Sequence, residues 1–166
     1  AAEERIVKEL HKILPEAGFI TEEQTSSAIG KHYTWIVDPL DGTTNFIHSI
    51  PCYSISIALM CDDELIMGVV YEINLKECFY AWEGSPAYLN GKEIHVSRTA
   101  KLNDSLLVTG FPYQDYSRLD AYLDLFKYFM EHSHGVRRFG SAAVDLAYVA
   151  CGRCEGFYEY GLSSWD

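Results

Sequence analysis

The sequence predicts an α+β fold in which helices and sheets lie in layers. Three observations carry this. Short segments with apolar residues at every second position, separated by turn residues, fill about 35–97; strand patterns alternate with two helical periodicities over about 105–166; and 48% of the 166 residues are hydrophobic, 14% of them all being aromatic. That content supplies a sizeable core, and the length corresponds to one domain.

Residues 1–14 (AAEERIVKELHKIL) place Ile6, Val7, Leu10, Ile13 and Leu14 on one helical stripe, which Pro15 stops. Ala1 and Ala2 offer no side-chain acceptor, so this helix begins without a cap. Short strands are expected at Phe19-Ile20 and over 35–37, and over 54–59, where Ile55, Ile57 and Leu59 alternate with Ser54, Ser56 and Ala58. Strands at 65–71 and 78–82 follow, with turns at Asp62-Asp63 and 74–76. Asn90-Gly91, between AYL and KEIHV, carries the residue pair a type I′ hairpin needs, because both central positions take φ > 0. These segments read as an antiparallel meander. Beyond them, 106–109 reads as a strand, 118–131 as a helix with Leu119, Tyr122, Leu123, Phe126 and Phe129 at helical spacing, 141–151 as a second helix and 157–160 as a last short strand.

The formal net charge of −11 excludes a general polyanion-binding surface, since sequence-independent nucleic-acid affinity comes from clustered Lys and Arg. Many acids also suit a solvated face, or the holding of divalent cations that let an acidic protein take an anionic substrate. Apolar stretches such as IALM (57–60) fall far short of the ~20 residues a membrane helix requires. No signal segment opens the chain, so a soluble cytoplasmic protein is expected. Five cysteines form no regular framework, and Cys151-x-x-Cys154 ends an apolar helical run rather than opening a helix after a strand, so reduced thiols are expected.

The chemistry concentrates in WIVDPLDGTTNF, residues 35–46. Trp35, Ile36 and Val37 make a buried strand, Pro39 cannot donate to a ladder, and Asp38 and Asp41 are expected in the turn at the strand's C-terminal end, where α/β sheets place ligands. Gly42 permits unusual backbone angles, and a helix could open at Asn45. An Asx-turn with a capped helix accounts for one aspartate. It does not account for two, with Glu22-Glu23 after another strand. Like charges so close favour a cation, and an all-oxygen set of carboxylates, carbonyl and water suits Mg²⁺ or Mn²⁺.

The same stretch closely resembles the signature of the inositol monophosphatase family, within the Mg²⁺-dependent, lithium-sensitive phosphatases. FITEE (19–23) resembles its upstream acidic segment, GSAA (140–143) its substrate-side helix start, and YEYG (158–161) with Trp165-Asp166 its second signature. The resemblance implies the inositol-phosphatase type of α+β fold, with alternating layers of helices and sheets. It implies that Glu22, Asp38, Asp41 and the Leu40 carbonyl bind a first metal, that Asp38, Asp41 and Asp166 bind a second, and that Glu22 touches a weaker third. Two or three Mg²⁺ are thus expected, with Mn²⁺ as a possible replacement. Thr43 would orient the attacking water, so Glu22, Asp41 and Thr43 carry the catalytic roles; Gly42 and Thr43 would meet the phosphate, and Gly140, Ser141, Ala142 and Glu159 would line the substrate hydroxyls.

The implied activity is hydrolysis of a phosphate monoester of inositol or a related polyol or sugar. Such esters hydrolyse very slowly unaided, and two cations about 4 Å apart activate water, shield the phosphate and stabilise the leaving oxygen. The alternatives are a phosphatase for histidinol phosphate, fructose 1,6-bisphosphate or a nucleotide 3′-phosphate, and a catalytically silent metal-binding regulatory module of the same fold. The expected partner is a small phosphate monoester, with neither nucleic acid nor membrane, and a homodimer in the full-length protein. Arg137 and Arg138 could pair with surface acids or with an anionic substrate, while His48, His132 and His134 read as solvated or packed. Family segments before the first helix and after the second signature are absent, so the chain is expected to hold the central part of the domain only.

Overall fold

Alternating residues on the central strands set where the core forms. In a computed structural model, residues 2–23, 28–112 and 115–166 are described. The larger sheet has seven strands in sequence order: β1 (Gly18–Thr21), β2 (Tyr33–Asp41), β3 (Ser54–Cys61), β4 (Glu64–Glu72), β5 (Glu77–Trp82), β6 (Ala87–Leu89) and β7 (Lys92–Ile94). From β2 onward every neighbouring pair is antiparallel, as the meander predicts, whereas β1 joins β2 in parallel. The type I′ hairpin also stands: Asn90 and Gly91 have φ of 48° and 81°.

Helix α1 (Ala2–Ile13) lies on β2, with Ile6, Val7, Leu10 and Leu14 packed against Phe19, Trp35 and Val37. Ile13 departs from the expected stripe and is 71% exposed, because its position on the last turn faces away from the sheet. The uncapped start expected at Ala1 falls outside the described residues.

The second sheet is small and wholly parallel, in the order β10 (Gly156–Tyr158), β8 (Leu106–Thr109), β9 (Gly135–Arg137). Strand β9 was not expected; the segment reads as a loop after a helix, and only its pairing with β8 defines it. Helix α3 (Leu119–His132) covers this sheet through Tyr122, whose hydroxyl meets Thr109 Oγ1 at 2.9 Å and whose ring packs on Tyr158. Helix α4 (Ala142–Ala150) contacts β3 and β4 of the large sheet and β10 of the small one, which ties the two sheets together. A mixed large sheet and a small parallel one, with covering helices, are the expected α+β class. Arg153 reinforces the junction, gripping Glu77 of β5 through both guanidinium ends while stacking over Tyr148.

Candidate active site

Strand β2 does not stop at Pro39. It runs on to Asp41 with a shift of register between Asp38 and Asp41, because a bulge absorbs the missing donor of the proline. The Leu40 N–H, freed from the ladder, donates to Asp38 Oδ1 at 2.8 Å. Both aspartates are buried, at 2% and 8% exposure. The helix after them, α2 (Thr43–Ile47), opens at Thr43 rather than Asn45, with Gly42 as its cap in the left-handed region at φ 93°. A side chain at Gly42 would meet the Cys52 and Gly140 carbonyl oxygens at 3.0 and 3.1 Å, so the turn passes hard against a loop almost a hundred residues later in the chain.

Asn45 holds that approach in place. Buried to 4%, it donates through Nδ2 to the carbonyls of Cys52 at 2.7 Å and Phe139 at 2.6 Å. Beyond Phe139, Ser141 caps α4 and also donates to Asp41 Oδ2 at 2.6 Å, while the Ala143 N–H donates to the same oxygen at 2.7 Å. The start of α4 thereby fixes the rotamer of Asp41.

All the residues singled out from the sequence line one cleft of about 450 Å³: Glu22, Asp38, Leu40, Asp41, Gly42, Thr43, Gly140, Ser141, Ala142, Glu159 and Asp166. His48, His132 and His134 are not among its lining residues; His132 stacks on Tyr128 with centroids 4.3 Å apart. Carboxylate oxygens of Asp38, Asp41 and Asp166 all lie within 4.8 Å of one another. Glu22 stands outside that trio but lines the same cleft, and its charge adds to the crowding around Asp38. Thr43 Oγ1 donates to the Leu40 carbonyl at 2.9 Å, leaving that carbonyl a second lone pair. The Ser163 N–H donates to Asp166 Oδ2 at 2.6 Å.

The electrostatics follow from burial first and like charge second. Burial pushes the Asp38 carboxyl up to about 8, with Glu22 and Asp41 adding to it against the Leu40 amide. Asp41 and Glu22 are also raised, each chiefly by burial. Glu159 goes to about 7 by burial, opposed by Arg138 and reinforced by Asp166 and Asp41. Its carboxylate packs on the backbone of Gly110, where a Cβ would stand 1.9 Å away. Asp38, Asp41 and Asp166, turned toward one another, form a hard, all-oxygen donor set, and this set fits a divalent cation.

Of the Arg137-Arg138 pair, for which the sequence leaves surface acids and an anionic substrate open as partners, Arg138 lines the cleft, its guanidinium 5.5 Å from the Phe111 ring centre, and Arg137 is not among the lining residues. Two further contributors are not singled out by the sequence. Asp145 sits on α4 at 1% exposure, likewise at the cleft wall, inside an apolar run that gives no local signal. Glu3, fully buried on α1, accepts from the Glu23 N–H at 2.8 Å and so anchors the segment that carries Glu22. The Cys151-x-x-Cys154 pair takes no part: both are free thiols, and burial raises that of Cys154 to about 11, the reverse of a reactive thiolate.

Comparison with known proteins bears on the same residues. The profile described as "Inositol monophosphatase family" matches residues 1–166. The chain is 44% identical to a Pseudomonas aeruginosa protein named "Nus factor SuhB", over all of this chain and 63% of that protein. It is 42% identical to an "Inositol-1-monophosphatase" of Mesorhizobium japonicum, over 99% of this chain and 62% of the relative. Among solved structures, the extragenic suppressor protein suhB of Bartonella henselae superposes with a TM-score of 0.94 at 43% identity, covering 99% of this chain and 64% of that one. Inositol monophosphatase from Anabaena gives a TM-score of 0.91 at 39% identity, covering 99% and 66%. The chain thus spans just under two thirds of the length of these relatives. A match that runs from the first residue to the last, and that includes the bulged aspartate strand and the capped start of α4, has one conclusion: this chain belongs to the inositol monophosphatase family.

Proposed function

We propose that these residues form the metal and phosphate end of a phosphatase that hydrolyses a phosphate monoester of inositol or a related polyol or sugar. The observation that carries this is the trio of Asp38, Asp41 and Asp166, mutually within 4.8 Å in a cleft that also holds Glu159. Asp38, Asp41 and Asp166, with Glu22 and the Leu40 carbonyl beside them, would hold Mg²⁺, two or three ions per site, or Mn²⁺. When bound, such cations supply Lewis acidity toward the phosphate and toward water and compensate the leaving oxygen.

The chain's own groups do the positioning. Ser141 and the Ala143 amide hold Asp41 in one orientation. Thr43, tethered to the Leu40 carbonyl, presents its hydroxyl oxygen as an acceptor toward the cleft, the place from which it would orient water. Gly42 and Thr43 line the part of the cleft where their amides would meet the phosphate, and Glu159, Gly140 and Ala142 line the space for the alcohol. Little covalent work remains for the protein in such a transfer. Residues 1–166 would be one part of a single inositol monophosphatase-like domain, acting in the cytoplasm as a homodimer and inhibited by lithium.

The relatives named as Nus factors favour a second reading, a metal-binding regulatory module that does not turn over. Phosphate release from inositol 1-phosphate, with histidinol phosphate, fructose 1,6-bisphosphate and adenosine 3′,5′-bisphosphate alongside, separates the two when measured on the full-length protein at rising Mg²⁺ with and without lithium. Mg²⁺-dependent, lithium-inhibited release is expected, highest with inositol 1-phosphate. Asp41→Asn should lower it at least about 100-fold with the fold kept, since even groups behind a metal ligand cost 10–100-fold. Mg²⁺ binding without release from any of the four would leave the regulatory reading standing, and undiminished turnover in Asp41→Asn would remove Asp41 from the ligand set.

A further inference from the structure

A phosphatase acting on polyol esters must hold the alcohol part of its substrate as well as the phosphate, and the wall made by Arg138, Asp145 and Glu159 bears on how. Asp145 is the unexplained member. It is 1% exposed, it lines the cleft, and its Oδ1 has no hydrogen-bond partner. A carboxylate oxygen sealed from water without a donor is costly, and native proteins hold very few such groups.

The donors at the start of α4 are already committed. Ser141 gives its proton and Ala143 its amide hydrogen to Asp41, the Val144 amide faces Ser141 Oγ, and the Asp145 amide bonds the Ser141 carbonyl. Arg138 acts on Asp145 through its charge while stacking on Phe111. Asp145 also lies outside the trio whose oxygens cluster for a cation. Its bare oxygen Oδ1 has lone pairs to share, so whatever completes it must bring a donor.

We propose that Asp145 accepts a hydrogen bond from a hydroxyl of the substrate's alcohol moiety, and that it selects polyol phosphates over simple alkyl phosphates. The inference rests on the phosphatase reading above. A site built to pair with a hydroxyl rejects an analogue lacking it, because its own buried group is then left unmatched. Glu159, raised on the backbone of Gly110, offers a second acceptor on the same wall, so two hydroxyls of one ring would be read together.

The test compares full-length wild type, Asp145→Ala and Asp145→Asn with inositol 1-phosphate and with ethyl phosphate, whose alcohol part has no hydroxyl, in the presence of Mg²⁺. Turnover gives kcat and KM, calorimetry gives binding of both phosphates, and thermal unfolding reports stability. Asp145→Ala should raise KM and Kd for inositol 1-phosphate about 10- to 100-fold while shifting ethyl phosphate by less than about twofold, as expected for one hydrogen bond to a charged group. Asp145→Asn, which keeps an acceptor oxygen, should recover most of that loss. Both variants should melt at or above the wild-type temperature, because an unmatched buried polar oxygen has been removed or given a neutral replacement. Equal losses with the two phosphates, no loss with either, or a lowered melting temperature in both variants would overturn the assignment. If wild type binds inositol 1-phosphate without hydrolysing it, the phosphatase reading fails while selective loss of binding in Asp145→Ala still supports Asp145. If wild type hydrolyses both and Asp145→Ala discriminates neither, the assignment fails alone; if wild type binds neither, both fail.

Discussion

Asp38 and Asp145 each have a carboxyl pushed up to about 8, burial being the main cause in both. For a carboxyl raised above its unfolded value, the folded state prefers the protonated form. Its contribution to stability is therefore complete below about pH 4 and disappears as pH climbs through about 8. Without divalent cations, the urea midpoint should fall steadily between about pH 4 and about pH 8, and added Mg²⁺ should restore most of it at the upper end while protons are released. A midpoint that is flat or rises with pH would show that these carboxyls are not strained by burial. Much at this scale was legible: WIVDPLDGTTNF and the Trp165-Asp166 pair announce their acids because local pattern and chemistry coincide. Asp145 was not, because the apolar run around it reads as an ordinary buried helix and only the tertiary structure shows what its carboxylate faces. Glu3 was hidden likewise, as one acid among several on an exposed-looking helix start.

Elements, in turn, are held to one another by a few polar side chains whose loss should be felt away from their own position. Asn45 joins α2 to two later segments of the chain through the carbonyls of Cys52 and Phe139. Asn45→Ala leaves both unpaired, and destabilisation of about 2–3 kcal/mol is expected, together with weakened Mg²⁺ binding because α4 no longer registers against Asp41. Chemical denaturation and metal titration of the variant check this; lost stability with unaltered metal affinity would confine Asn45 to packing. Strand β2 shows why some boundaries were misread. A proline ordinarily ends a ladder, yet here a bulge carries the strand past Pro39 to Asp41, and that irregularity is what turns both aspartates inward. Strand β9 has three residues and no periodicity of its own, so no sequence rule reaches it. The helix at 118–131 and the Asn90-Gly91 hairpin, whose signals are purely local, were found within a residue or so.

Across the whole molecule, the net charge of −11 and the acid-lined cleft predict weak attraction for polyanions. Fluorescence anisotropy with a single-stranded RNA at about 0.15 M salt should show no binding tighter than the micromolar range typical of non-specific electrostatic contact. Tighter binding would strengthen the regulatory alternative. The bonds from Ser141 and Ala143 to Asp41 have a further consequence, in time rather than in space. They close a loop of 100 residues or more, and the expectation is that this clasp forms late, after the folding transition state. A cation that recognises the finished cleft then leaves the refolding rate nearly unchanged and instead delays escape from the native state, by about 100-fold when present at a hundred times its Kd. Stopped-flow refolding and unfolding with and without Mg²⁺ would register this as a change in one limb of the chevron alone. The same clasp that orients one carboxylate would thus set how long each molecule, once folded, stays folded.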